Sequence, residues 1–228
     1  MMSLPTAFGL AFRQLGDPAI VRVLVKSLAA TLVLFALLGA VLLVALDRAF
    51  AAMDLTWGAE LGVLAAVLLT LIAGWLLFRF AALFVLQFFV EDVVRAVEAR
   101  HYPQAASAAR SLSLREEVGN GLRSTLRALL ANLVALPFAV FLLVTGVGTA
   151  LLFWAVNAFL LGRELQDMVW LRHRLDHAEL APMGGKSRLA LGGVVAGLLL
   201  VPFANLLAPV LGAAMATHLV HRGRTAHV

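Results

Sequence analysis

No cysteine occurs anywhere in the 228 residues. Disulfides, thiolate nucleophiles and cysteine-held metals are excluded at once. A Walker loop, a GxSxG elbow and a dinucleotide fingerprint are also missing, so nothing in the chain supports ATP-driven work. Aromatic residues interleaved with bases, the platform that RNA binding needs, are absent too. No enzyme, no cofactor and no nucleic-acid partner is expected. One long stretch lacks charge altogether: Leu189 to Thr217 contains no Asp, Glu, Lys or Arg.

What is present is apolar. The hydrophobic fraction is 62% and the mean hydropathy is +0.96, whereas soluble domains are typically about 45–50% apolar. The composition is that of a polytopic membrane protein. The net charge of +5 then marks membrane flanks rather than a nucleic-acid face.

The charge-free run poses a length problem. As one helix it would reach about 43 Å. One crossing needs about 20 residues, and an out-and-back pair needs about 40. Pro202, Asn205 and Pro209 oppose a single straight helix. The economical shape is a hairpin that enters the bilayer, turns at Pro202 to Asn205 and leaves by the same side. Non-helical backbone at membrane depth must be buried in protein or face water, so the shape points to transport.

The rest of the chain divides around four apolar segments. Residues 1–17 mix Phe8, Phe12 and Leu15 with Arg13, Gln14 and Asp17, which suits an interfacial helix. Asp17-Pro18 reads as an N-cap followed by a first helical residue. A first span then covers 18–46; its apolar run from Ser27 to Leu46 is longer than a signal-peptide core, so it is expected to stay uncleaved. A loop with Asp47, Asp54 and Glu60 follows. The second span, 61–101, is interrupted only by Gly74, Arg79 and Gln87 up to Val90. Val93, Val94, Val97 and Ala99 suggest that it continues into water as an amphipathic extension, ended by Tyr102-Pro103. Ser113 and Glu116 fit a capping box and open a first hairpin region, 113–170. Pro137 is expected to bend it, and Thr145-Gly146-Val147-Gly148 to turn it. A polar connector leads to the second hairpin region, 186–221, and the tail from His218 is basic.

Except for Arg48 and Arg79, all 18 Lys and Arg fall on the N-terminal flank, the 91–127 block, the 163–188 block or the tail. With two spans and two hairpins these segments share one face, which the positive-inside rule makes cytoplasmic. The expectation is a single all-α integral membrane domain: two long transmembrane helices plus two re-entrant or half-penetrating hairpins, with amphipathic interfacial helices. Fully spanning hairpins would give the same orientation. Both termini are then cytoplasmic and the 47–60 loop lies outside.

The order of elements resembles the CysZ family of bacterial inner-membrane sulfate permeases, within the etoposide-induced-protein-2.4 domain superfamily. LLVPFANLLAPVLGAAMAT at 199–217, FWAVNAFLLGREL at 153–165 and VEAR at 97–100 carry the likeness. The resemblance implies a homo-oligomer in the inner membrane and a small sulfate-like anion as partner. It also implies an anion site at a Pro-Gly-Leu-Arg-Arg type sequence opening the first long helix. The matching positions are Pro18, Ala19, Ile20, Val21 and Arg22, so an alanine replaces the glycine and a valine the first arginine. Lys26, one turn past Arg22, returns a charge to that face. Helix N-terminal N–H groups and guanidinium forks suit an oxyanion.

Each of these residues has a plainer reading. Arg22 is either an anion ligand or a membrane anchor reaching the headgroups. Arg79 faces either the protein interior or the cytoplasmic interface. Asn157 and Asn205 either line a pathway or hold helices and turns together. Glycines 192, 193, 197 and 212 mark close helix packing. His173 and His177 share a helical face as a metal pair would, with Asp176 and Glu179 nearby. No third ligand is evident, and a solvated connector accounts for them. The functional expectation is a permease or channel-like transporter for sulfate or a related small oxyanion. The alternative is a non-transporting scaffold or envelope-assembly protein of the same superfamily that has lost the anion motif.

Overall fold

The computed structural model describes residues 3–52, 59–176, 179–201 and 204–224. Among them are eight α-helices, one short 3-10 turn and no strand, so the all-helical expectation holds. Among the described residues three helices are long and apolar enough to cross a membrane: Pro18–Ala45, Leu114–Thr145 and Ala204–Gly223.

The chain forms two compact units, Met1–Ile20 with Val90–Val228, and Val21–Phe89. The smaller unit contains the apolar arms of α2 (Pro18–Ala52) and α3 (Ala59–His101). Phe35 and Phe78 meet edge to face at 5.5 Å. The hydroxyls of Ser27 and Thr31 donate back to the Leu24 and Ser27 carbonyls, which satisfies them inside an apolar helix. Leu37, Val41, Leu71 and Trp75 are exposed, as lipid-facing side chains must be. At 1.5 Å per residue α3 is about 64 Å long, roughly twice the hydrocarbon core. Its C-terminal turns, from Val90 on, belong to the larger unit.

That extension does not run free into water as its sequence suggests; it packs into the larger unit. Val93, Val94 and Val97 are buried, but Ala99 is exposed and Glu98 takes its place inside. Helical spacing explains the difference. Positions 94, 97, 98 and 101 fall on one face, and 99 lies about 100° away from 98.

In the larger unit α8 (Ala204–Arg224) lies against α1 (Leu4–Gln14), α6 (Val147–Trp170) and α7 (Gly185–Leu200). Its membrane-length stretch is 72% buried inside the protein, whereas that of α5 (Leu114–Leu142) is 0% buried. One apolar helix therefore serves as core and another as outer surface. The tail expected from His218 is in fact the continuation of α8, and His218 and His221 are buried.

α6 and α7 approach to backbone contact. A Cβ at Gly162 would run into the Arg188 carbonyl, and one at Gly192 into the Ala158 carbonyl. Trp154 Nε1 donates to the Gly193 carbonyl at 3.1 Å. These contacts match the packing role read from the glycines of the second hairpin. The turn between α7 and α8 is closed by the Asn205 N–H, which donates to the Val201 carbonyl at 3.0 Å; Pro202 and Phe203 lie outside the described residues.

α5 begins with the expected box. Ser113 Oγ accepts from the Glu116 N–H, and the Glu116 carboxylate accepts from the Ser113 N–H. The helix runs on through Pro137 to Leu142. The reversal comes at Leu143–Thr145 and Gly146, whose φ of 61° is the left-handed value that glycine tolerates. Gly146 is the N-cap of α6, and Thr145 Oγ1 accepts from the Gly148 N–H in its first turn.

Candidate functional site

Two places gather polar groups. The first is the start of α2. Asp17 precedes it, and its N–H donates to the Gln14 carbonyl. The Asp17 carboxylate lies 3.3 Å from Arg100 Nε and 3.8 Å from His101 Nε2. Pro18 is exposed, Ala19 half-buried and the Ile20 side chain buried at 2% exposure. Ile20 can therefore offer a ligand only its backbone. Val21 is 41% exposed. Arg22 and Lys26 are exposed, four residues apart on one helical face, and neither makes an ion pair among the described residues.

The weaker candidates are dispersed. Asn157 donates to the Phe153 carbonyl within α6, and Asn205 serves the α7–α8 turn through its backbone. Arg79 lies in α3, and its side chain is outside the described residues. His177 also lies outside them.

The second place is a buried polar layer in the larger unit, and sequence reasoning found only one of its members. Glu98 on α3 is 1% exposed, His173 just after α6 5%, and His221 on α8 6%. His173 Nε2 lies 2.7 Å and His221 Nε2 3.1 Å from the same Glu98 oxygen, Oε1. Arg172 Nη1 stands 3.7 Å from Oε2. Burial alone would push the Glu98 carboxyl up. Hydrogen bonds from His173 and His221, with the charges of His173 and Arg172, hold it at about 2 instead. The segment carrying His173 is fixed by its own turn, His173 and Arg174 N–H groups donating to the Trp170 carbonyl, and by the Arg110 N–H, which donates to the Arg172 carbonyl.

The layer continues through His218. Its Nδ1 meets the Tyr102 hydroxyl at 2.7 Å, and its Nε2 meets the Gln14 amide at 2.9 Å. Gln14 Nε2 also lies 3.0 Å from His101 Nε2. Tyr102 lies 4.8 Å from the His221 ring, centroid to centroid. The polar connector thus contributes a buried histidine rather than a solvated one. Glu98 was detectable in principle, on the face shared with Val94 and Val97. His218 and His221 looked like a basic tail, because only packing against α1 and α3 makes them interior.

Residues 7–209 match the family described as Sulfate transporter CysZ/Etoposide-induced protein 2.4. No curated protein matches the chain. His218 and His221 lie beyond the matched residues.

Proposed function

The chain belongs to the Sulfate transporter CysZ/Etoposide-induced protein 2.4 family, a membership that supports a transport role; we propose that it is an inner-membrane permease or channel-like transporter for sulfate or a related small oxyanion. What carries this reading at residue level is the pair of exposed cations Arg22 and Lys26, without an ion pair among the described residues, in the first turns of a membrane-length helix. Cations beside a helix N-terminus suit a small oxyanion, through guanidinium forks and free N–H groups. Pro18, Ala19 and Ile20 contribute backbone to this proposed site. Arg79, Asn157 and Asn205 remain candidates for polar lining along a pathway.

Element lengths support partial penetration by the second hairpin. α7 has 16 residues, about 24 Å, short of the roughly 30 Å hydrocarbon core. α5 has 29 residues, about 43 Å, so the first hairpin has length to spare. A pathway built from so few elements favours a homo-oligomer. The positive-inside rule, applied to the basic segments, favours cytoplasmic termini. The test is uptake of labelled sulfate by proteoliposomes. Flux that falls at least tenfold in Arg22→Ala supports the reading, while absent wild-type flux overturns it.

A second reading rests on Ala19 and Val21. They replace the glycine and arginine of the anion sequence, and Val21 exposes an apolar side chain there. On this reading the protein is a membrane scaffold without transport. Stabilisation of the solubilised protein by sulfate would exclude it.

A further inference from the structure

We propose that Glu98, His173 and His221 form a binding site for one divalent transition-metal ion of the zinc class, fastening α3, the segment after α6 and α8 together. Their ligand atoms lie within 4.8 Å of one another, and all three residues are buried. Each points the atom a metal would take: Nε2 from both imidazoles and Oε1 from the carboxylate. Two imidazoles and one carboxylate are a common zinc donor set, with the fourth position left to a non-protein ligand.

The spacing is close to what such an ion needs. Ligands about 2.0–2.1 Å from a tetrahedral centre sit roughly 3.3–3.4 Å apart. The two Nε2–Oε1 distances are 2.7 and 3.1 Å and all three ligand atoms lie within 4.8 Å of one another, so each imidazole must move from the carboxylate oxygen by only about 0.2–0.7 Å. Both imidazoles direct their Nε2 at one oxygen, and an ion would take the place of the protons between them.

Neighbouring groups favour these three ligands over the other histidines. His218 has both ring nitrogens engaged, by Tyr102 and Gln14. Arg172 faces Oε2, leaving Oε1 for the metal. Its Nη1 is buried and has no hydrogen-bond partner among the described residues. A buried donor therefore stands beside the three ligands, placed to hydrogen-bond a metal-bound water. This inference is independent of the transport reading, and its histidine from α8 lies outside the family match at 7–209.

The experiment uses the full chain in detergent, stripped with a chelator, incubated with Zn²⁺ and freed of excess metal. Metal content per chain, thermal unfolding and zinc X-ray absorption are then measured. The expected result is one zinc per chain, a raised melting temperature and a shell of nitrogen and oxygen at about 2.0–2.1 Å. His173→Gln and His221→Gln should each reduce retained zinc about tenfold or more, while His218→Gln keeps it. Wild type that retains no zinc, or His221→Gln that retains as much as wild type, overturns the proposal. If the glutamine variants fail to fold, the wild-type absorption spectrum decides: a shell without imidazole overturns it.

Discussion

His173 places its Nε2 2.7 Å from Glu98 Oε1 although 75 positions separate them in the chain. The pair joins the end of α3 to the turn after α6, inside protein and away from solvent. Glu98→Ala removes the shared acceptor of two imidazoles and the partner of Arg172. Breaking a buried pair costs about 3–5 kcal/mol. Denaturation of the solubilised protein should show a loss of that size, and a loss below about 1 kcal/mol, the surface-pair value, would mean that the layer is solvated.

Gly162 and Gly192 should tolerate no side chain. Alanine at either would press on a backbone carbonyl of the opposite helix, and overpacking costs about 1–3 kcal/mol. Gly121 lies on an exposed part of α5 with nothing near its missing Cβ. Gly121→Ala should leave stability unchanged or raise it by up to about 1 kcal/mol. Melting curves of the three variants in one detergent separate packing from helix propensity.

Ser113→Ala should destabilise the start of α5 by about 1 kcal/mol, the usual value of an N-cap. Hydrogen exchange at Glu116 and Glu117 should accelerate while α8 stays protected. Uniform acceleration through the larger unit would instead tie the cap to its global stability.

Val21→Arg should strengthen anion binding, because it restores a guanidinium at an exposed site next to Arg22. One charged hydrogen bond contributes about 1.5–3 kcal/mol, so affinity for sulfate should rise roughly tenfold or more. Calorimetry on the solubilised variant measures it. Unchanged affinity would remove the α2 start from the proposed site.

The absence of cysteine makes hairpin depth directly measurable. Single cysteines at Val144, beside the α5–α6 turn, and at Val201, beside the α7–α8 turn, can be probed with a membrane-impermeant thiol reagent. Partly penetrating hairpins should leave both unlabelled from outside intact cells. Labelling of the Val144 cysteine would show that the first hairpin crosses.

What the sequence determined by itself was local or compositional. Hydropathy and length dictated helices and a membrane. Asp17-Pro18 started α2, Ser113 with Glu116 capped α5, and Thr145-Gly146 supplied the reversal before α6, because caps and turns use neighbours in the chain. The charge-free stretch was legible as a broken pair of helices for the same reason. Tertiary structure alone decided which side chains face inward. Pattern reading grouped Ala99 with the apolar residues of the extension and passed over Glu98, because an apolar side chain is the cheaper one to bury. Packing against His173 and His221 reversed that by satisfying the carboxylate. Two tail histidines became core for the same reason. Partners 75 and 123 positions apart leave no periodic trace, since their proximity comes from helix packing and not from spacing along one helix.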